Sequence, residues 1–354
     1  MKDRDARTER RRAEWTAPRE RRGAARAPAF RHGALHVEAL GLRAASVHRH
    51  EWAALAGRAI EPNPFFEPAF MAPLLHGLSP ARHPVILVVR RRVAGVMRMV
   101  GLLPIQRAQA RFAVGPLRAW SHAAAPMGVP LLDHDHAQEA MGALLAYACA
   151  TSKFARGLAL GAVDREGPVA GLLSRLTGGS RGRLHSVNPR LRPAFRAGSQ
   201  TPPPQNRHDD TDFALAEGEQ VLDALERHLA LGSAQQRADP AFAALARAYA
   251  FALAREGRCV IAETSRGGAL VGSGVGVLAG DLAVVWALAG GDDKAAVGAR
   301  LAAALLGRPG VSRVELCASQ TLAERHFPDR VRLADFLVAA VAETSLRPIA
   351  PWAR

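Results

Sequence analysis

Two carboxylates on β-type runs are the first residues equipped for chemistry. Glu263 closes Cys259-Val260-Ile261-Ala262-Glu263, and Glu315 lies within Val311-Ser312-Arg313-Val314-Glu315-Leu316-Cys317. Side chains alternate faces along a strand, so either can point into a cleft and take a proton as a general base. An exposed or structural carboxylate is the more ordinary reading at both positions. Cys317 offers an acyl-accepting thiol, but a thiolate needs a base and no His can be placed beside it, so a buried structural Cys fits better. Ala296-Val297-Gly298-Ala299-Arg300 puts a glycine near an expected helix start, where unbonded N–H groups and the helix dipole favour an anion. Val297, Gly298, Ala299 and Arg300 could hold a phosphate there; a helix that merely tolerates one Gly, with Arg300 solvated, is the alternative. Asp133-His134-Asp135-His136 has the composition of a metal site. Four adjacent side chains on a short loop cannot converge on one ion, so no metal is expected and Asp135 reads as a helix cap. His122, next but one to Trp120, suits substrate contact or core packing, and Asn63 suits fixing a Pro-flanked turn.

These residues need a frame. Alternation at Ala34–Leu40 reads as a strand, and Trp52, Leu55 and Ala59 share one face of a helix over 51–59. Glu61-Pro62-Asn63-Pro64-Phe65-Phe66-Glu67-Pro68 is a rigid connector with two aromatics to bury. A helix over 68–77 precedes the β-branched run Val85–Val89, and a turn rich in Arg leads to a second strand over 94–105. Helical spacing covers 138–150 and a short strand Leu158–Leu160 follows. The second half repeats this order: a helix bearing Phe242, Leu245, Ala246, Tyr249 and Leu253, strands at 259–263, 270–278 and 281–289, a helix over 293–306, then the strand holding Glu315. An internal duplication accounts for it. The expected organisation is a basic disordered tail at 1–33, a first domain at 34–188, a linker at 189–212 around Pro202-Pro203-Pro204-Gln205-Asn206, and a second domain at 213–354.

Composition excludes several classes. Apolar residues are 49% and charged residues 22% of the 354, which suits a folded globular chain that buries a core, and two domains fit the length. No apolar run reaches the roughly 20 residues of a membrane span, and no signal-type segment follows Met1, so the expected compartment is the cytoplasm. Three cysteines without metal spacing give no disulfide framework. The net charge of +15 invites nucleic acid, but residues 1–31 hold eleven Lys or Arg against five acids, leaving a net charge of only +9 over the remainder. A solvated surface explains that better than a phosphate-binding patch, so no nucleic acid is expected.

Several segments together resemble a known family. Trp52-Ala-Ala-Leu, Glu61-Pro-Asn-Pro-Phe-Phe-Glu-Pro, Gly101-Leu-Leu-Pro-Ile, Trp120-Ser-His, Gly128-Val-Pro-Leu and Asp164-Arg-Glu-Gly-Pro look like the bacterial GNAT-type acetyltransferases of the BioF2-like, CelD-like group. The resemblance covers about residues 35–340. It implies a mixed α/β fold of tandem GNAT-like domains, similar to the FemAB peptidyltransferases. It also implies acyl transfer from acetyl-CoA or another acyl-CoA to a small-molecule, saccharide or peptide amine, with a possible link to cellulose or other polysaccharide-synthesis machinery. On that resemblance Val297–Arg300 would meet the cofactor diphosphate and Glu315 or Glu263 would act on the amine. Glu315-Leu316-Cys317-Ala318 and Phe327-Pro328-Asp329-Arg330 are similar to the family's Asp-Ser-Cys-Ala strand and Trp-x-x-Arg segment. Its Gly-Trp-Lys-Gly element has no counterpart after Leu225–Leu229, so a catalytically degenerate module that binds or scaffolds is the alternative.

Overall fold

Glycine and proline punctuate the chain from its first element. The computed structural model describes residues 30–78, 82–106, 115–151, 157–178, 182–198, 211–232, 239–291, 294–317 and 329–340. Residues 1–29 of the expected tail, Pro202–Asn206, Ala318 and Phe327-Pro328 lie outside them. The first described element lies inside the expected tail: β1 (Phe30–His32) pairs with β2 (Leu35–Gly41) through a hairpin. Gly33 turns it at φ +57, a backbone that glycine adopts without a Cβ clash.

Helices α1 (Leu42–Ser46) and α2 (Arg49–Ala56) follow, the latter burying Trp52 and Leu55. The Trp52 indole donates to the Phe66 carbonyl at 2.8 Å. Asn63 fixes the connector as expected: its side-chain oxygen accepts the Phe65 N–H, and its amide donates to the carbonyls of Met127 and Val129. The helix expected over 68–77 is two pieces, α3 (Pro68–Met71) and α4 (Leu74–Gly77), because Pro73 between them has no N–H to continue the ladder.

The first half continues with the hairpin β3 (Val85–Val93) and β4 (Val96–Ile105), then β5 (Leu117–Arg118), β6 (Leu131–Leu132), α5 (Ala137–Thr151), β7 (Gly157–Asp164), α6 (Pro168–Thr177) and β8 (Gly182–Arg196). The second half runs β9 (Asp212–Ala216), α7 (Gln220–Leu231), α8 (Pro240–Ala254), β10 (Cys259–Arg266), β11 (Ala269–Ala279), β12 (Leu282–Gly290), α9 (Lys294–Leu306), β13 (Arg313–Leu316) and β14 (Asp329–Ala340). Each half thus has a strand, two or more helices, an antiparallel hairpin joined by a third strand, a helix and a further strand.

The halves share a sheet. One sheet has the order β1-β2-β3-β4-β6; the other runs β5-β7-β14-β8-β13-β12-β11-β10-β9, with β14 inserted between two strands of the first half. Residues 189–196, expected in a linker, are the end of β8. Pro189 is tolerated because it falls at a break in the ladder with β14, where no N–H is required. The main core is correspondingly continuous, with Trp52, Phe65 and Leu103 packed in the same cluster as Tyr249, Trp286 and Phe336. Aromatic edges close the junction: Phe70 meets Tyr249 at 5.0 Å between ring centroids, and Tyr249 meets Trp286 at 5.3 Å. Such pairs each add about 0.5–1.5 kcal/mol beyond the area they bury. Trp286 also donates its indole N–H to the Ala124 carbonyl at 2.9 Å. Among the described residues no helix is long and apolar enough to cross a membrane.

Candidate functional site

Where the first half meets β14, the strands enclose a cleft of about 750 Å³. Its walls are Arg118, the 119–128 segment, residues 159–162 of β7, residues 187–192 of β8 and Asp335 to Leu337 of β14. Backbone bonds lock the 119–128 segment in place: the Ala119 N–H donates to the Ala159 carbonyl and the Trp120 N–H to the Pro104 carbonyl, both at 2.8 Å. Trp120 and His122 then stack with ring planes 3° apart. The Ala124 N–H donates to His122 Nδ1 at 3.2 Å, so the neutral ring carries its proton on Nε2. Burial holds this imidazole below its ordinary pKa, with Asp239 opposing and Arg82 assisting, so the ring is a neutral donor at pH 7.

Gly128 lets this segment lie against β7. A Cβ there would overlap the Gly161 carbonyl oxygen, a backbone atom that cannot rotate away. Gly128→Ala is therefore expected to lower stability by about 2 kcal/mol, the usual scale of overpacking, seen as an earlier urea midpoint. An unchanged midpoint would show that the two backbones are not in contact.

Asp335 sits at the cleft wall where β14 breaks register with both neighbours, β7 and β8. Opposite the breaks, Ala162 (φ 53) and Asn188 (φ 51) take left-handed backbones. For alanine this costs about 1–2 kcal/mol, while asparagine tolerates it better. Both residues face Asp335: the Ala162 N–H donates to Oδ1 at 2.9 Å and the Asn188 amide to Oδ2 at 3.0 Å. Arg190 completes the set with Nη2 at 2.8 Å from Oδ1. Against the opposing effect of burial, these donors hold the Asp335 carboxyl below its ordinary range.

Behind the cleft lies a buried chain of charges. Arg192 donates one nitrogen to the Pro126 carbonyl and another to Glu315, at 2.8 and 2.7 Å. Arg313 bonds the other Glu315 oxygen at 3.1 Å and Asp164 at 2.8 Å. Glu61 approaches the same cluster and accepts the Val169 N–H at 3.1 Å, so a carboxylate from the connector caps the start of α6. Gly167 makes room for it, since a Cβ there would lie 2.9 Å from Glu61 Oε2. With three carboxylates to two guanidiniums, one acid is in excess. Burial first, then Asp164 and Glu315, push Glu61 up to about 7, against the Val169 N–H and Arg313, which pull it down.

The residues singled out from sequence do not assemble into one site. Glu315 is almost wholly buried with its oxygens bonded by two guanidiniums. Glu263 lies three strands away in sheet order and forms a bidentate pair with Arg227 at 2.7 and 2.8 Å. Val297–Arg300 occupy the second turn of α9, which begins at Lys294, so the amides of Gly298 and Ala299 fall among those bonded within the helix. Gly298 instead seats the helix on β12, since a Cβ there would lie 3.0 Å from Leu288 Cδ1. Val297 and Ala299 are core residues, and the Arg300 guanidinium lies over the Phe213 ring at 4.1 Å. Cys317 lies beside Arg192 and Glu315, and burial pushes its thiol up to about 12 even against the pull of Arg192. Asp133 is bonded by Arg58 at 2.9 Å, with Arg98 at 3.8 Å, so a cation at 133–135 would meet two guanidiniums.

Arg118, Asn188, Arg190, Arg192 and Asp335 were not singled out from sequence. Two signals bear on them. Asp335 is a lone charge within Leu333-Ala334-Asp335-Phe336-Leu337-Val338, and Asn188-Pro189 inside a strand marks a bulge.

No family model and no curated protein matches the chain. Among solved structures it is similar to FemX, at 8% identity over 83% of this chain and 96% of that one, with a TM-score of 0.51. A tandem GNAT protein from the clavulanic acid biosynthesis pathway aligns at 15% identity over 88% of this chain and all of that one, with a TM-score of 0.42. A DUF2156 domain from Agrobacterium fabrum, described as the C-terminal domain of a lysylphosphatidylglycerol synthetase, aligns at 9% identity over 83% and 92%, with a TM-score of 0.49. The FemX likeness and the repeated order of elements give the fold: a mixed α/β chain of two GNAT-like halves, FemAB-like in architecture.

Proposed function

We propose that this chain is an acyltransferase that moves an acyl group onto the amine of a small-molecule, saccharide or peptide acceptor seated in the cleft between β5, β7, β8 and β14. The observation that carries the reading is the convergence there of the stacked Trp120–His122 pair, Arg118 and Arg190, and a strained double bulge. Strain kept at a cleft wall is a mark of function, and the fold supports the reaction class by analogy. His122 holds a proton at Nε2 and donates it in a hydrogen bond to an oxygen of the substrate. Acetyl-CoA or another acyl-CoA is the donor implied by the sequence resemblance, and a thioester would supply an activated carbonyl. The α9 start does not fit its diphosphate: the helix is backed by Leu288 at Gly298, and Asp292-Asp293 precede it in sequence. The link to polysaccharide-synthesis machinery and the cytoplasmic location rest on the sequence alone.

That misfit, together with the full pairing of Glu315, favours a second reading, a GNAT-fold module that binds its ligand without turnover. Purified full-length protein given acetyl-CoA and a panel of amines is expected to release free thiol, and His122→Ala to lower kcat about 100-fold, the scale for loss of one preorganised donor. No thiol with any amine, and no heat on titrating acetyl-CoA, would transfer the assignment to the binding module.

A further inference from the structure

We propose that the cleft selects an acceptor bearing an anionic group, a carboxylate or a phosphate, and that Arg190 seats that group while Asp335 acts as the positioning residue for Arg190. The proposal rests on the acyl-transfer reading of the same cleft and adds the class of acceptor.

The lining charges are unequal. Arg118, Arg190 and Arg192 face one carboxylate, Asp335. Arg192 is bonded to Glu315 and the Pro126 carbonyl, but Arg118 has no ion-pair partner among the described residues. Arg190 gives Asp335 two of its five N–H donors, at 2.8 and 3.4 Å, and keeps three. Its side chain is 35% exposed and lines the cleft. Asp335 is itself saturated: four donors from Ala162, Asn188 and Arg190 occupy its two oxygens, leaving no lone pair for an ammonium group. Its consequence is therefore orientation. A strand paired on both sides normally keeps register, whereas β14 breaks register with β7 and β8 around this one residue. Bulges re-aim side chains, and here they turn a carboxylate, and through it a guanidinium, toward the cavity. Planar guanidinium forks recognise carboxylates and phosphates in common, and Arg118 supplies a second cation to the same cleft.

Calorimetric titration of the full-length protein with inorganic phosphate and, separately, with succinate distinguishes the two anion types without any acyl donor. Wild type is expected to bind one of them saturably at one site, with affinity falling as salt is added. Arg190→Gln should weaken that binding at least tenfold. Asp335→Asn, which can still accept the Ala162 N–H, should weaken it five- to tenfold while its melting temperature stays near that of wild type. No saturable heat with either anion, or Arg190→Gln binding as tightly as wild type, overturns the proposal. A lower melting temperature in Asp335→Asn at unchanged affinity would reduce Asp335 to a structural residue and overturn its positioning role. Anion binding without thiol release would remove the acyl-transfer reading alone; thiol release without anion binding would remove this proposal alone.

Discussion

Replacing Glu315 by alanine is expected to cost about 3–5 kcal/mol of stability, because it leaves the buried Arg192 guanidinium without its hydrogen-bonded carboxylate. Arg192 and Glu315 are both below a tenth exposed and bond at 2.7 Å, far from the screening that makes surface pairs weak. Arg313 would lose its 3.1 Å partner at the same time and keep its 2.8 Å pair with Asp164. The melting temperature should fall on the order of 10 °C. The Arg192→Met, Glu315→Leu double variant should recover much of the loss, since an apolar pair of similar size removes the uncompensated charge. The same measurement decides the role of Glu315. A general base would show lost turnover at unchanged melting temperature; a staple between β8 and β13 shows the reverse.

Glu61→Gln should make the protein more stable above neutral pH and leave it unchanged near pH 4.5. In the folded chain burial lifts this carboxyl from 4.5 to about 7, so between those values the folded state holds a proton that the unfolded state has released. Stability then falls as pH rises through that window, by about 3 kcal/mol once both states are ionised. Glutamine accepts the Val169 N–H without a charge and removes the slope. His228 works in an overlapping window with the opposite sign. Its buried ring, 3.0 Å from Ser273 Oγ, is held down to about 4, so its contribution is lost as pH falls from 6.5 toward 4. Urea unfolding of wild type and Glu61→Gln from pH 4.5 to 8 isolates the Glu61 share as the difference between the two curves. Parallel curves would mean that Glu61 has the same pKa in the folded and the unfolded chain.

Much of the frame was legible because its causes are local. The 3.6-residue spacing of Met141, Leu144 and Ala148 gives α5 (Ala137–Thr151), and that of Leu245, Tyr249 and Leu253 gives α8 (Pro240–Ala254). The β-branched run at 85–89 gives the buried part of β3, and Asn63 between two prolines makes the turn its side chain predicts. Four of the segments that carried the family resemblance, 61–68, 120–122, 128–131 and 164–168, reach the cleft or the charge cluster behind it. The individual chemical candidates fared differently. A carboxylate on a strand reads the same whether it faces a cleft or two arginines, and only its neighbours in space tell them apart.

The sequence by itself determined the longer helices, the hairpin strands and their repeated order, since hydrophobic period, proline and glycine act within a few residues. Tertiary structure alone decided that β14 enters between β7 and β8, that Asp335 meets an amide 173 residues away, and that Glu61, Asp164, Arg192, Arg313 and Glu315 share one buried cluster. The reason is physical. Strand insertion and ion pairing depend on distance and desolvation between groups far apart in the chain, and no local pattern of residues encodes either.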